Sequence, residues 1–160
     1  MTRLIVLALS VTFAQQAAFA APVTATGPTA LALAAVVTLH SPLVRAYDKR
    51  VIARLFGGQT NFGFTPNRTI SVTADKATCK TSNVDITQRS CELTFHVGKR
   101  TLTGREANEF SATALAAGAT SEGAAGSIIE SISKVACTID PNEIMKKAGG
   151  GAECTFETGQ

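Results

Sequence analysis

Residues 134–156 read KVACTIDPNEIMKKAGGGAECTF, with Cys137 and Cys154 bracketing an Asp-Pro step, two lysines and three consecutive glycines. The middle of this stretch encodes a short helix. Asp140 is a favoured N-cap residue and Pro141 suits the first helical position. Glu143 follows at the third position, and Lys146 and Lys147 place positive charge at the last turn, where the helix dipole favours it. Gly149 is expected to supply the left-handed exit. On either side lie strand-forming residues, KVACTI and AECTF. The stretch therefore predicts strand, short helix, strand, closed at its base by the two cysteines. A nest of backbone N–H groups in Gly149, Gly150 and Gly151 could hold an anion. At a helix C-terminus, however, the dipole repels anions, so the exit turn is the preferred reading. The residues this excursion presents as a partner-binding loop are Asn142, Lys146, Lys147, Gly149, Gly150 and Gly151.

An echo of the same design occurs upstream. Residues 76–95 read KATCKTSNVDITQRSCELTF. Both stretches run K-x-x-C, then a polar connection containing an Asp and an Ile, then a second cysteine followed closely by Thr-Phe. Four cysteines allow three pairings. The echo favours the two local ones, Cys79 with Cys91 and Cys137 with Cys154. In the chain-entropy account, each closed loop stabilises the fold by about 3 kcal/mol. Zinc spacing is absent: no two cysteines stand close together, and the only histidines are His40 and His96. No C-x-x-C redox pair occurs. The sequence thus predicts neither a metal nor a cofactor.

The expectation of disulfides rests on the N-terminus. Arg3 precedes the apolar run LIVLALSVTFA, and Ala18, Phe19 and Ala20 place small residues where a signal peptidase reads. Residues 1–20 are expected to be an export signal, 21–29 (APVTATGPT) a flexible leader, and 30–160 one domain. The chain would then be periplasmic or extracellular, where disulfides persist. Loss of Arg3 lowers the formal charge from +3 to +2, too mild a balance to point to nucleic acid. With no Trp and one Tyr there is no evident platform for stacking bases. The second apolar run, TALALAAVVTL at 29–39, is far short of the ~20 residues a membrane span needs. It predicts a buried helix, and no membrane-spanning segment is expected after signal cleavage.

The remaining elements follow from periodicity. Ser41 as cap and Pro42 at the first position open a helix running to Gly57, with Val44, Tyr47, Val51 and Leu55 on one face and a basic opposite side. Ile70, Val72 and Ala74 alternate with polar residues, as do Cys91, Leu93, Phe95 and Val97; both runs predict half-buried strands. The second turns back at Gly98 and Lys99 as a hairpin, leaving His96 on a polar strand face. Thr103 with Glu106 forms a capping-box pattern ahead of a stripe of Ala107, Phe110, Ala114 and Ala117. Residues 120–126 (TSEGAAG) read as a turn or a loose helix start. Ile128, Ile132, Val135 and Ile139 have helical spacing, which predicts a helix to Ser133 and a strand from there to Ile139.

The predicted fold is α+β: a small antiparallel sheet of about four or five strands, helices mainly on one face, and two local disulfides. No nucleophile elbow, phosphate loop or dinucleotide fingerprint is present. The expected function is therefore a non-enzymatic exported module that binds another protein. In architecture the chain resembles secreted bacterial hydrolase inhibitors of the β-lactamase-inhibitor type, which implies an inhibitor as the alternative. A small exported enzyme using His96 or His40 is a further alternative.

Overall fold

A seven-stranded antiparallel sheet, covered on one face by helices, emerges from these patterns. The computed structural model describes residues 22–59, 68–82, 84–85, 87–124, 127–147 and 150–157. The expected export signal lies outside them. In chain order the elements are β1 (Val23–Thr26), α1 (Gly27–His40), α2 (Ala46–Phe56), β2 (Ile70–Ser82), β3 (Arg89–Phe95), β4 (Gly98–Thr103), α3 (Gly104–Ala116), β5 (Thr120–Ala124), β6 (Ser127–Ile139), α4 (Pro141–Lys146) and β7 (Ala152–Glu157). The strands lie in the order β1-β7-β6-β2-β3-β4, and β5 pairs with the first part of β6. The α+β class, the antiparallel sheet and both local disulfides, Cys79–Cys91 and Cys137–Cys154, are as the sequence predicts.

Helices α1 and α3 lie side by side on the sheet, and α2 packs on α1 and meets α4. This explains why α1 is apolar all round: sheet, α3 and α2 each take part of its surface. Phe110, Phe156, Leu33, Leu93 and Ile132 are among the fully buried side chains. Each such burial contributes about 1.5–3 kcal/mol relative to exposure.

The core is built twice. In β2–β3–β4–α3, Cys79 pairs directly with Cys91, and Cys91 in turn lies opposite Leu102. In β6–β7–β1–α1, Cys137 pairs with Cys154, and Cys154 lies opposite Ala25. Each outer strand ends Thr-x-Thr-Gly, with the glycine in the left-handed region: Gly104 at φ 57° and Gly27 at φ 70°. The following helix then sets a carbonyl 3.5 Å from a disulfide sulfur, Ala107 O at Cys91 Sγ and Ala30 O at Cys154 Sγ. Each buried position of α3 (Ala107, Phe110, Ser111, Ala114) has a buried equivalent in α1 (Ala30, Leu33, Ala34, Val37), which buries Ala35 and Thr38 in addition. The two halves are thus related by a pseudo-two-fold axis between β2 and β6. One half is contiguous in the chain; the other is assembled from its two ends.

At that axis both central strands change phase. Burial in β2 follows Ile70, Val72 and Ala74, then passes over exposed Asp75 and Lys76 to Ala77, Cys79 and Thr81. Burial in β6 passes from Glu130 and Ile132 over Ser133 and Lys134 to Val135, Cys137 and Ile139. Lys134 has φ 52°, and the ladder to β7 shifts register between Ser133 and Ala136, as at a β-bulge.

Several expectations are corrected. Residues 127–133 are strand, not helix: the bulge spaces Ile132, Val135 and Ile139 as a helix would. The turn or loose helix start expected at 120–126 contains β5. The leader expected at 21–29 holds β1, anchored by Val23 opposite Phe156, and the start of α1. Ser41 closes α1 rather than opening α2; its hydroxyl accepts from Leu43 N–H at 3.2 Å, and α2 begins only after Arg45. Thr103 occupies the N-cap of α3 but makes no side-chain cap bond. The hairpin turn falls at His96–Val97, since Phe95 already pairs with Gly98.

Candidate functional site

The pseudo-two-fold exposes a difference between its halves. The outer edge of β6 is paired at both ends, by β7 at Ser133 and Ala136–Ile139 and by β5 over Ser127–Ser131, with the bulge between. The equivalent edge of β2 is paired by β3 only over Lys76–Thr81. Among the described residues, nothing pairs with that edge from Ile70 to Ala74, so β2 is free at the place where β6 receives β5.

That free edge is one wall of a groove of about 380 Å3. Ile70, Ser71, Val72 and Thr73 form the strand wall. Ser41, Leu43, Val44 and Arg45, from the turn between α1 and α2, form the opposite wall, with Asp75 and His96 also lining the groove. The opening is held by an ion pair. The Arg68 guanidinium, just before β2, donates to Asp48 of α2 at 2.6 and 2.5 Å, and Asp48 is buried. A buried carboxylate without this partner would be strongly destabilising. Leu43 is 60% exposed at the rim. Arg45 is exposed too, and among the described residues it makes no ion pair.

The sequence-derived loop lies elsewhere. Asp140 Oδ1 accepts from the N–H groups of Asn142 and Glu143 at 2.9 and 3.3 Å, and Lys146 Nζ bonds Glu143 Oε1 at 2.8 Å. Lys146 and Lys147 are exposed, whereas Asn142, Gly150 and Gly151 are half-buried. Gly149 falls outside the described residues; the left-handed exit is at Gly151, φ 72°. None of these residues lines the groove. Of the histidines, His96 is exposed and sits at the groove, in the β3–β4 turn rather than on a strand face. His40 ends α1 with its Nε2 4.0 Å from Glu106 Oε2. Burial lowers its pKa; Glu106 opposes this, and Lys49 and Arg100 reinforce it.

A second polar constellation went unread in the sequence. Ser111 Oγ donates to Glu130 Oε2, Arg89 lies 3.9 Å from Glu130 Oε1, and Arg89 Nε donates to Thr81 Oγ1 at 2.7 Å. Ser111, Glu130 and Thr81 are buried. Burial pushes the Glu130 carboxyl above its ordinary range, against the pull of Arg89. The pseudo-two-fold equivalents of Thr81, Arg89, Ser111 and Glu130 are Ile139, Ala152, Ala34 and Val72, all buried and apolar. The scaffold therefore closes without polar groups at these positions. Ser111 and Glu130 are buried, so they form an internal brace between α3 and β6. Glu130 was hidden because its segment has helical spacing in the sequence.

Among the described residues no cluster of His, Cys, Asp and Glu could hold a metal, and no helix is long and apolar enough to cross a membrane. Comparison with protein-family models, curated proteins and solved structures gave no match to this chain. Fold and groove together define a disulfide-stapled α+β domain in which, among the described residues, the Ile70–Ala74 edge of a central strand is open beside a groove.

Proposed function

We propose that this is an exported, non-enzymatic module that binds a partner protein in the groove beside β2. The observation that carries the reading is the free edge at Ile70–Ala74, bordered by exposed Leu43. The Cys79–Cys91 bridge joins the strand that forms one wall to its neighbour, and the Arg68–Asp48 pair ties the entry of that strand to α2. A wall fixed in advance lowers the ordering cost of association. Export is supported by the N-terminal pattern and is compatible with the two disulfides.

Leu43→Asp tests the reading, because an exposed side chain can be changed without disturbing the core. Immobilised wild-type protein is expected to capture a partner from the secreted or periplasmic fraction, and the variant, equally folded by its thermal transition, to retain a tenth or less. Equal capture by both would remove the groove from the interface. Assay of the captured partner for hydrolase activity separates the inhibitor case. The position of His96 at the groove favours one second reading, a small exported enzyme. Turnover abolished by His96→Ala would establish that reading instead.

A further inference from the structure

The mode of binding follows from the same symmetry, and the inference rests on the groove being the binding surface. We propose that the groove accepts an extended peptide as an added strand, antiparallel to β2 at Ile70–Ala74, as β5 is added to β6 at Ser127–Ser131. The occupant is a partner segment of about five residues, the length of β5. It carries apolar residues at alternate positions, to meet Leu43 and Val44, and an acidic residue for Arg45.

The backbone is oriented for this. The Cα atoms of Cys79 and Cys91 are 4.0 Å apart, which marks them as a non-hydrogen-bonded pair of the β2–β3 ladder. The peptide groups of Cys79 therefore point toward β6. Side-chain direction and hydrogen-bond direction alternate together along a strand, so residues facing the helices turn their peptide groups to β6 and residues facing away turn them to the other edge. Ile70, Val72 and Ala74 face the helices; Ser71 and Thr73 face away and are exposed. The N–H and C=O groups of Ser71 and Thr73 thus point into the groove. Unpaired strand edges are templates for another chain, and strand addition takes affinity from such main-chain bonds and specificity from alternate side-chain pockets.

The test uses a phage-displayed library of random octapeptides, selected on the full disulfide-bonded chain and counter-selected on Leu43→Asp. Selected peptides are expected to bind Thr73→Ala within threefold of wild type and Thr73→Pro at least tenfold more weakly. Proline removes the groove-facing N–H while leaving the β6 ladder intact. Should the proline variant fail to fold, amide resonances of the wild-type chain give an independent reading: peptide-induced shifts centred on Ile70–Ala74 support strand addition. Peptides that bind Thr73→Pro as tightly as wild type overturn it, yet leave the groove as the binding surface. Recovery of no Leu43-dependent peptide overturns it as well. It also falls if residues 60–67 of the chain itself occupy the edge, or if a second copy does so in a dimer that Thr73→Pro dissociates.

Discussion

Glu130 is a carboxyl buried against what its chemistry prefers. A carboxyl raised by burial binds its proton more tightly folded than unfolded. The native state therefore gains from protonation below the ordinary value of 4.5 and loses that gain as pH rises through the raised one. Glu130→Gln keeps an acceptor for Ser111 but removes the titration. Its melting temperature is expected to change less with pH between 4.5 and 8 than that of wild type. Parallel melting curves across that range would show that Glu130 does not titrate in the fold. The slope is the readout, because the variant also deprives Arg89 of its partner and shifts the height of the curve.

Helix α4 is the element most completely written in its own residues. Asp140, Pro141, Glu143 and Lys146 act as their types predict, because capping is a contact between near neighbours in the chain. The exit is stricter than the three glycines suggest. A Cβ at Gly151 would lie 2.6 Å from Asp140 O and 2.8 Å from Ile144 N, at φ 72°. Gly151→Ala is expected to destabilise the protein by at least about 2 kcal/mol, while Lys147→Ala, at an exposed position, changes stability by less than about 0.5 kcal/mol. Chemical denaturation of the two variants checks both. The disulfides were legible for a similar reason, through two K-x-x-C stretches that each close locally. Strand β6 was not. Its bulge at Lys134 inserts one step of three, from Ile132 to Val135, into a period of two, and only the ladders on both sides make it a strand. Strand β1 is only four residues, VTAT, too short to announce itself except beside β7. The groove was illegible because a free edge is a relation between strands, not a property of one.

At the scale of the molecule, the pseudo-two-fold predicts that the second half can be made contiguous. Val23 pairs with Phe156, so the two ends of that half already run side by side. A permuted chain of residues 68–157, a four-residue linker and residues 22–59 is expected to fold cooperatively with both disulfides formed. Peptide mapping and a single melting transition test this; scrambled bridges would refute the equivalence of the halves.

In the natural order the equivalence carries a temporal consequence. The half built from β2, β3, β4 and α3 spans 47 consecutive residues, Ile70 to Ala116, and can close around Cys79–Cys91 while the rest of the chain is still being synthesised. The other half waits: α1 emerges first, yet its Ala30 carbonyl meets Cys154 only after 124 further residues have followed. Contacts so distant in sequence bear the larger loop-closure cost and form late. Until then α1 can meet β2, β6, α2 and α3 but lacks β7, the strand on which it packs most extensively. The packing of α1 is thus expected to be completed only when β7 arrives, and the interval before it is one in which a nascent chain exposes apolar surface and is prone to aggregate.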